Sequence, residues 1–204
     1  MRNIKIKAHG YVFCKSTLYS VQDVIQGNYF TFEFKVGRND LVGEIDSGIF
    51  GISYLIPMYK RLSKREKSRI TIDGVIIDGE ATTLDTLTSR SCYIERGVRL
   101  FKNNRSVIEQ VRRGLGKSGM NYTAEELLLL FGVEEHYHGR KLLEVGNAEF
   151  QARSAIAFAY GIEIFSFPWF SEKRYQYFKH RLDYLLKVLG ELNKIAIFPH
   201  AKPD

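Results

Sequence analysis

Only two cysteines occur in 204 residues, Cys14 and Cys92. They lie far apart and neither sits in a Cys-x-x-Cys or Cys/His motif, which excludes a disulfide scaffold, a zinc ribbon and a dithiol redox centre. Two free, buried thiols in a reducing compartment are expected. Proline is scarce, at four residues, and no stretch is rich in proline, glycine and serine together, so no long linker or low-complexity segment divides the chain. Long apolar runs are missing too. Leu127-Leu128-Leu129-Leu130-Phe131 is among the densest and falls far short of the ~20 residues that a membrane-spanning helix needs. Met1 to Lys7 alternates charged and apolar side chains where a signal peptide would carry an apolar block. A soluble domain in the cytoplasm is the expectation.

Hydrophobic residues make up 45% of the chain and charged residues 26%, the balance of a globular protein. The length suits one domain with at most a small appended lobe. The charge is uneven: the net value is +7, and Lys60, Arg61, Lys64, Arg65, Lys67 and Arg69 crowd one segment against the single acid Glu66. Such a patch can meet nucleic acid or anionic headgroups. It can equally be a helix ending in cations, which suit the negative end of its dipole, followed by a solvated turn.

Period-two alternation with aromatic and β-branched residues marks Ile4–Lys7, Tyr11–Phe13 and Tyr29–Val36 as strands. Leu41-Val42-Gly43 then leads into a turn-rich loop, and Ile49 to Arg61 carries apolar residues at helical spacing, with Pro57 predicting an early end or a kink. Ile70 to Gly79 holds two strand-like runs, each stopped by Asp-Gly, and the first pair, Asp73-Gly74, predicts a hairpin turn. Ser91–Ile94 is another strand. Asn104 to about Gly139 is helical, with a loop from Gly114 to Gly119 and a capping box at Thr123-Ala124-Glu125-Glu126. A helix over Ala148–Tyr160, a strand over Ile162–Phe167, a long amphipathic helix over Glu172–Leu192 and a strand over Lys194–Pro199 complete the chain. This order predicts an α/β core with an antiparallel β edge and a helical insert over about 104–145. His136-Tyr137-His138, beside Glu134 and Glu135, lacks a third ligand and reads as a solvated turn. Gly116-Lys117-Ser118 has the tail of a phosphate-binding loop, but Val111 stands where its opening glycine belongs.

Taken in order, these pieces resemble the nucleotide-binding domain of ABC transporters. Gly43-Glu44-Ile45-Asp46-Ser47-Gly48-Ile49-Phe50-Gly51 stands where that family has its Walker A loop, Gly-x-x-Gly-x-Gly-Lys-Ser/Thr. Gly43, Ser47 and Gly48 fit, whereas Asp46 replaces a glycine, Ile49 the lysine and Phe50 the hydroxyl residue. Ile72-Asp73-Gly74 and Ile77-Asp78-Gly79 look like the family's small hairpin, and Arg96 takes the Q-loop position. Glu144 to Arg153 parallels the signature segment, with Gly146, Gln151 and Arg153 agreeing and Asn147 departing. At Walker B, Ser166 replaces the metal-side aspartate and Phe167 the catalytic glutamate, while Pro168 remains. His200 matches the switch histidine. Together these imply a degenerate P-loop core of the ABC type.

The departures have a chemical price. Losing the lysine at Ile49 removes a charge-assisted hydrogen bond worth about 1.5–3 kcal/mol. A carboxylate at Asp46 would repel a triphosphate by about 4 kcal/mol for unit charges at ~4 Å in an effective dielectric of ~20. Phe50 cannot ligate magnesium, Ser166 is a poor substitute for a carboxylate, and Phe167 cannot activate water. The Asp46 or Glu44 carboxylate would cap the helix in place of phosphate, or Asp46 is merely a turn residue. The resemblance thus implies a catalytically silent cassette with no catalytic residues and no resident cofactor or metal, its ATP and magnesium binding weak or absent. The partners implied are a membrane permease, a second, active ATP-binding domain, or a second copy, at the inner face of the membrane. A nucleic-acid module using the Lys60–Arg69 cluster with Tyr54 and Tyr59 is the rival class, and an ABC ATPase with altered chemistry is a third.

Overall fold

The computed structural model describes residues 1–10, 29–43, 51–68, 70–95 and 97–202. Strand β1 (Asn3–Gly10) buries Ile4, Ile6 and Ala8, and β2 (Tyr29–Lys35) buries Phe32 and Phe34. With β4 (Ile70–Ile77) and β5 (Glu80–Thr82) they form an antiparallel sheet in the order β2-β1-β4-β5. A second sheet, in the order β3-β8-β7-β6, comprises β3 (Gly37–Val42), β6 (Ser91–Tyr93), β7 (Ile164–Ser166) and β8 (Ile195–His200), all parallel.

The parallel sheet is the middle layer, because its inner strands are apolar on both faces. Ile164, Ile195 and Ile197 join a core with Ile4, Ile6, Phe32 and Phe34 of the antiparallel sheet, capped by α1 (Gly51–Met58) and α3 (Leu84–Ser89). Phe165, Ala196 and Phe198, at alternate positions, join the second core. That core holds α4 (Val107–Ser118), α5 (Ala124–Leu130), α7 (Glu149–Ala159) and α8 (Glu172–Glu191). Two one-turn helices complete the set, α2 (Lys64–Lys67) and α6 (Glu135–His138).

The elements are set by local chemistry in several places. Thr123 accepts from the Glu126 backbone N–H while the Glu126 carboxylate accepts from Thr123 N–H, so the capping box forms as read. Pro57 sits in the last turn of α1, which ends one residue later and passes into a 3₁₀ turn over Tyr59–Arg61. Leu182, Leu185, Leu186 and Leu189 form the buried stripe of α8.

Three expectations are corrected. Asp73-Gly74 does not turn a hairpin: β4 runs through it, and the pairing with β1 slips between Lys7 and Ala8, so one extra residue is absorbed as a bulge. The hairpin turns at the second pair, where Asp78 (φ 50°) and Gly79 (φ 92°) both adopt the left-handed geometry of a type I′ turn. Asp78 is held there by accepting backbone N–H bonds from Arg2 and Asn3 at 2.7 and 2.8 Å, which keep its carboxyl below the usual range. Residues 114–118 are not loop but the last turns of α4, closed by Gly119 in the left-handed region. His136 to His138 is a helical turn in which His138 is buried, its Nε2 2.9 Å from the Val133 carbonyl oxygen. The strand expected at Tyr11–Phe13 lies outside the described residues.

Gly114 explains why α4 needs glycine. A Cβ there would lie 2.8 Å from Ala159 Cβ and 3.0 Å from the Ala159 carbonyl carbon, so α4 and α7 cross nearly in contact. Gly116, two residues on, has open space around it. Gly114→Ala should therefore destabilise the protein by about 1–3 kcal/mol through overpacking. Gly116→Ala should stabilise it by up to ~1 kcal/mol through helix propensity. Urea denaturation of both variants checks the contrast.

Candidate functional site

Open α/β sheets bind ligands beyond the carboxyl ends of their parallel strands. In this chain those ends are tied together by backbone hydrogen bonds. Gly43 N–H donates to His200 O (3.1 Å), Phe167 N–H to Ile197 O (3.0 Å), Ile94 N–H to Ser166 O (2.8 Å) and Phe170 N–H to Pro199 O (3.0 Å). The Trp169 indole N–H donates to the Gly43 carbonyl at 3.3 Å, linking the segment after β7 to the end of β3. Gly43, Ser166, Phe167, Pro168 and His200, separated by up to 157 residues, are thus neighbours. Glu95 also joins this edge, buried at the end of β6.

Side-chain direction divides them. Ser166 shares strand parity with Ile164 and so faces the α1 side of the sheet. It is fully buried and its Oγ finds no partner among the described residues. Phe167 is also fully buried, with ring centroids 6.4 Å from Phe150 and 5.9 Å from Phe198. It is a core residue, not a group presented to solvent or ligand. Pro168 is buried as well.

His200 shares parity with Phe198 and faces α8. Its ring stacks against Tyr175 at 5.5 Å, its Nδ1 lies 2.7 Å from the Ala201 carbonyl oxygen and its Nε2 lies 3.2 Å from Asp40 Oδ1. Asp40 accepts from Arg38 Nε at 2.7 Å, and Arg38 reaches Asp183 on α8 at 2.9 Å. Tyr175 OH and Lys179 Nζ also donate to Asp183. Burial opposes the charge on Arg38, but Tyr175 and Asp40 outweigh it and hold the guanidinium more firmly protonated than usual. Burial likewise works against the Asp183 carboxylate, yet the bonds from Lys179 and Tyr175 and the nearby cations win, so its carboxyl sits below the ordinary range. The result is a charged strap across β3, β8 and α8.

The signature-like segment splits in two. Gly146 (φ 51°) and Asn147 are exposed ahead of α7, where Asn147 Oδ1 accepts from Tyr177 OH at 3.3 Å. Gln151 and Arg153 point inward. Arg153 is fully buried and donates to the Glu95 carbonyl (3.2 Å) and to Glu149 Oε1 (3.0 Å), with its guanidinium 5.0 Å from the Phe101 ring centre. In the basic patch Lys60, Arg61 and Lys64 are exposed, and Lys67 Nζ lies 4.7 Å over the Tyr59 ring. Burial pushes the Cys92 thiol up to about 12, so it is an inert core thiol. Asp46, Ser47, Gly48, Ile49, Phe50, Arg96, Arg69, Cys14 and Glu44 lie outside the described residues, as does the side chain of Arg65. No group of His, Cys, Asp and Glu among the described residues could hold a metal ion, and no described helix is long and apolar enough to cross a membrane.

An ABC transporter ATP-binding protein from Pyrococcus furiosus superimposes with a TM-score of 0.60 at 13% identity, over 98% of this chain and 92% of that one. MJ1267, an ATP-binding cassette of an ABC transporter in its ADP conformation, gives 0.62 at 11% identity, over 100% and 83%. The fold is that of an ABC ATP-binding cassette. A bacterial Atm1-family ABC exporter with ATP bound matches with a TM-score of 0.54 at 14% identity, and this chain spans 35% of its length. No protein-family model and no curated protein matches the sequence.

Sequence reasoning missed the partners of the cassette edge. Arg38, Asp40, Tyr175 and Asp183 carry no motif, and Arg38-Asn39-Asp40 reads as loop. The only available signal was three polar residues just before an apolar pair leading to a glycine. Two outcomes test the geometry. Phe167→Ala should cost about 3–5 kcal/mol in chemical denaturation, as a core aromatic does. Asp183, with its lowered carboxyl, contributes stability that is complete above its unfolded value of about 3.9 and is lost as pH falls through the folded value. Wild type should therefore lose stability below about pH 4 more steeply than Asp183→Asn, measured by melting across pH 2–7.

Proposed function

We propose that this chain is a catalytically silent cassette, a structural or regulatory subunit of an ABC transporter assembly, which binds ATP and magnesium weakly or not at all. The observation that carries the reading is the end of β7. Ser166 and Phe167 stand where the fold's hydrolytic sites need a metal-side carboxylate and a base, and both are fully buried. Phe167 is built into an aromatic cluster, so the position serves packing. Ser166 Oγ, even if reached by a magnesium-bound water, offers no negative charge.

The direction of His200 supports the same reading. Its Nε2 is engaged by Asp40 on the α8 face, the opposite side of the sheet from Ser166. A histidine that senses the terminal phosphate needs a free ring nitrogen on the nucleotide side. The sequence of the loop after Gly43 agrees: Ile49 and Phe50 supply neither the cation nor the hydroxyl that a triphosphate and its magnesium require.

In this proposal the helices from about 104 to 145 form the cassette's helical insert. The protein acts through docking to a permease or to a second, active ATP-binding domain at the inner face of the membrane, and pairing of two copies is the third form the assembly can take. Fluorescent ATP analogue should show no saturable binding below about millimolar concentration, in keeping with a loss of several kcal/mol. Pure protein should release no phosphate in the presence of magnesium. Micromolar affinity, or a turnover abolished by Ser166→Ala, overturns the proposal.

A further inference from the structure

Both ring nitrogens of His200 face oxygen acceptors. Nδ1 lies 2.7 Å from the Ala201 carbonyl oxygen, and Nε2 lies 3.2 Å from Asp40 Oδ1. A neutral imidazole carries one N–H and one lone pair, whereas the imidazolium carries two N–H groups. With its proton on Nδ1 the neutral ring aims the Nε2 lone pair at the Asp40 carboxylate. With the proton on Nε2 the other lone pair faces the Ala201 carbonyl. The doubly protonated ring donates to both. The ring also stacks on Tyr175 at 5.5 Å and lies 5.4 Å from the Phe198 ring, and aromatic faces attract a cation.

We propose that His200 is a proton-operated clasp: its doubly protonated ring joins β3, through Asp40, to the chain leaving β8, through Ala201, and its neutral ring releases Asp40. What each acceptor can fall back on decides which one is released. The Asp40 side chain is 36% exposed and keeps both bonds from Arg38 Nε, at 2.7 and 2.9 Å. The Ala201 carbonyl is the closer acceptor and belongs to the next residue in the chain. The neutral ring therefore keeps its proton on Nδ1. Among the described residues, the charged and titratable groups around the ring are Arg38 and Asp40 on β3, and Tyr175, Lys179 and Asp183 on α8. Arg174, in the first turn of α8, is turned over the Phe170 ring at 4.7 Å, and Lys202, beyond Ala201, is exposed. Arg38 opposes a second cation here and Asp40 favours it, its Oδ1 lying against both. The clasp closes on the cassette edge itself, because Gly43 N–H donates to His200 O and Ala201 N–H to Phe170 O. Loss of a proton from His200 unties β3 from the segment after β8 and makes that edge respond to pH. None of this depends on the subunit reading above.

A double-mutant cycle on the full chain tests the clasp. His200→Gln, Asp40→Asn and the double variant are unfolded in urea at about pH 5.5 and about pH 8.5, on either side of the window in which histidine titrates. At the acid pH the two positions should be coupled by about fivefold or more in the unfolding constant. At the alkaline pH the coupling factor should fall to about one, since a bond that needs the proton contributes only while the ring holds it. Contributions from the other histidines cancel in the cycle. Wild type gives a second measurement that needs no variant to fold. With nitrogen-15 in its histidines and carbon-13 in its aspartates, magnetic resonance reads each ring nitrogen and the Asp40 carboxylate. His200 should pass from two N–H groups to one, on Nδ1, and the Asp40 signal should move with it. Equal coupling at both pH values, a neutral ring protonated on Nε2, or an Asp40 signal indifferent to the ring would each overturn the proposal. Micromolar ATP binding would sink the silent-cassette reading and leave the clasp standing.

Discussion

All six residues of β8, Ile195 to His200, are buried. A strand apolar on both faces cannot stop at one layer, since each exposed face would leave a row of large side chains in water. The isoleucines at 164, 195 and 197 therefore call for the antiparallel sheet, and Phe165, Ala196 and Phe198 for α7 and α8. Once both faces are covered, the free outlets of the parallel strands are their carboxyl ends. Gly43, Ile94, Phe167 and Phe170 are tied to the neighbouring strands there by backbone hydrogen bonds.

At that edge Ser166, the last residue of β7, has a hydroxyl with no partner among the described residues, the buried Phe167 follows it, and the histidine at the end of β8 is held by a carboxylate from the neighbouring strand. The charged strap from His200 through Asp40 and Arg38 to Asp183 sits at the sheet edge, where half-exposed charges keep some hydration, and each charge has an opposite neighbour. Deeper in, Arg153 is fully buried, a position that only pairing makes tolerable; it has Glu149, the Glu95 carbonyl and the Phe101 ring.

Legibility from sequence followed the range of the interaction. The Thr123 capping box and the leucine stripe of α8 depend on residues three or four apart, and the chain shows them openly. The two Asp-Gly pairs show the limit: both offer the same local turn chemistry. Register against β1 decides between them, letting Asp73 be absorbed as a bulge while Asp78 is capped by the N–H groups of Arg2 and Asn3. Strand β3 was hidden because Arg38-Asn39-Asp40 has no apolar alternation, and its polar side chains find partners on β8 and α8. The Thr83-capped helix α3 went unread as well: six residues are too few for a periodic pattern to stand out. Gly114 read as a loop glycine because nothing nearby in sequence reveals that Ala159 will press against it.

The residue types, with neither a carboxylate at Ser166 and Phe167 nor a cation at Ile49, were determined by the sequence alone, as was the excess of positive charge. Those are properties of composition and of neighbours along the chain. Only the tertiary structure decided that His200 faces α8 rather than the α1 side and that Asp40 is its partner. Each of these depends on which strand lies beside which and on the parity of a side chain within its strand, and both are settled by burying the two faces of one parallel sheet.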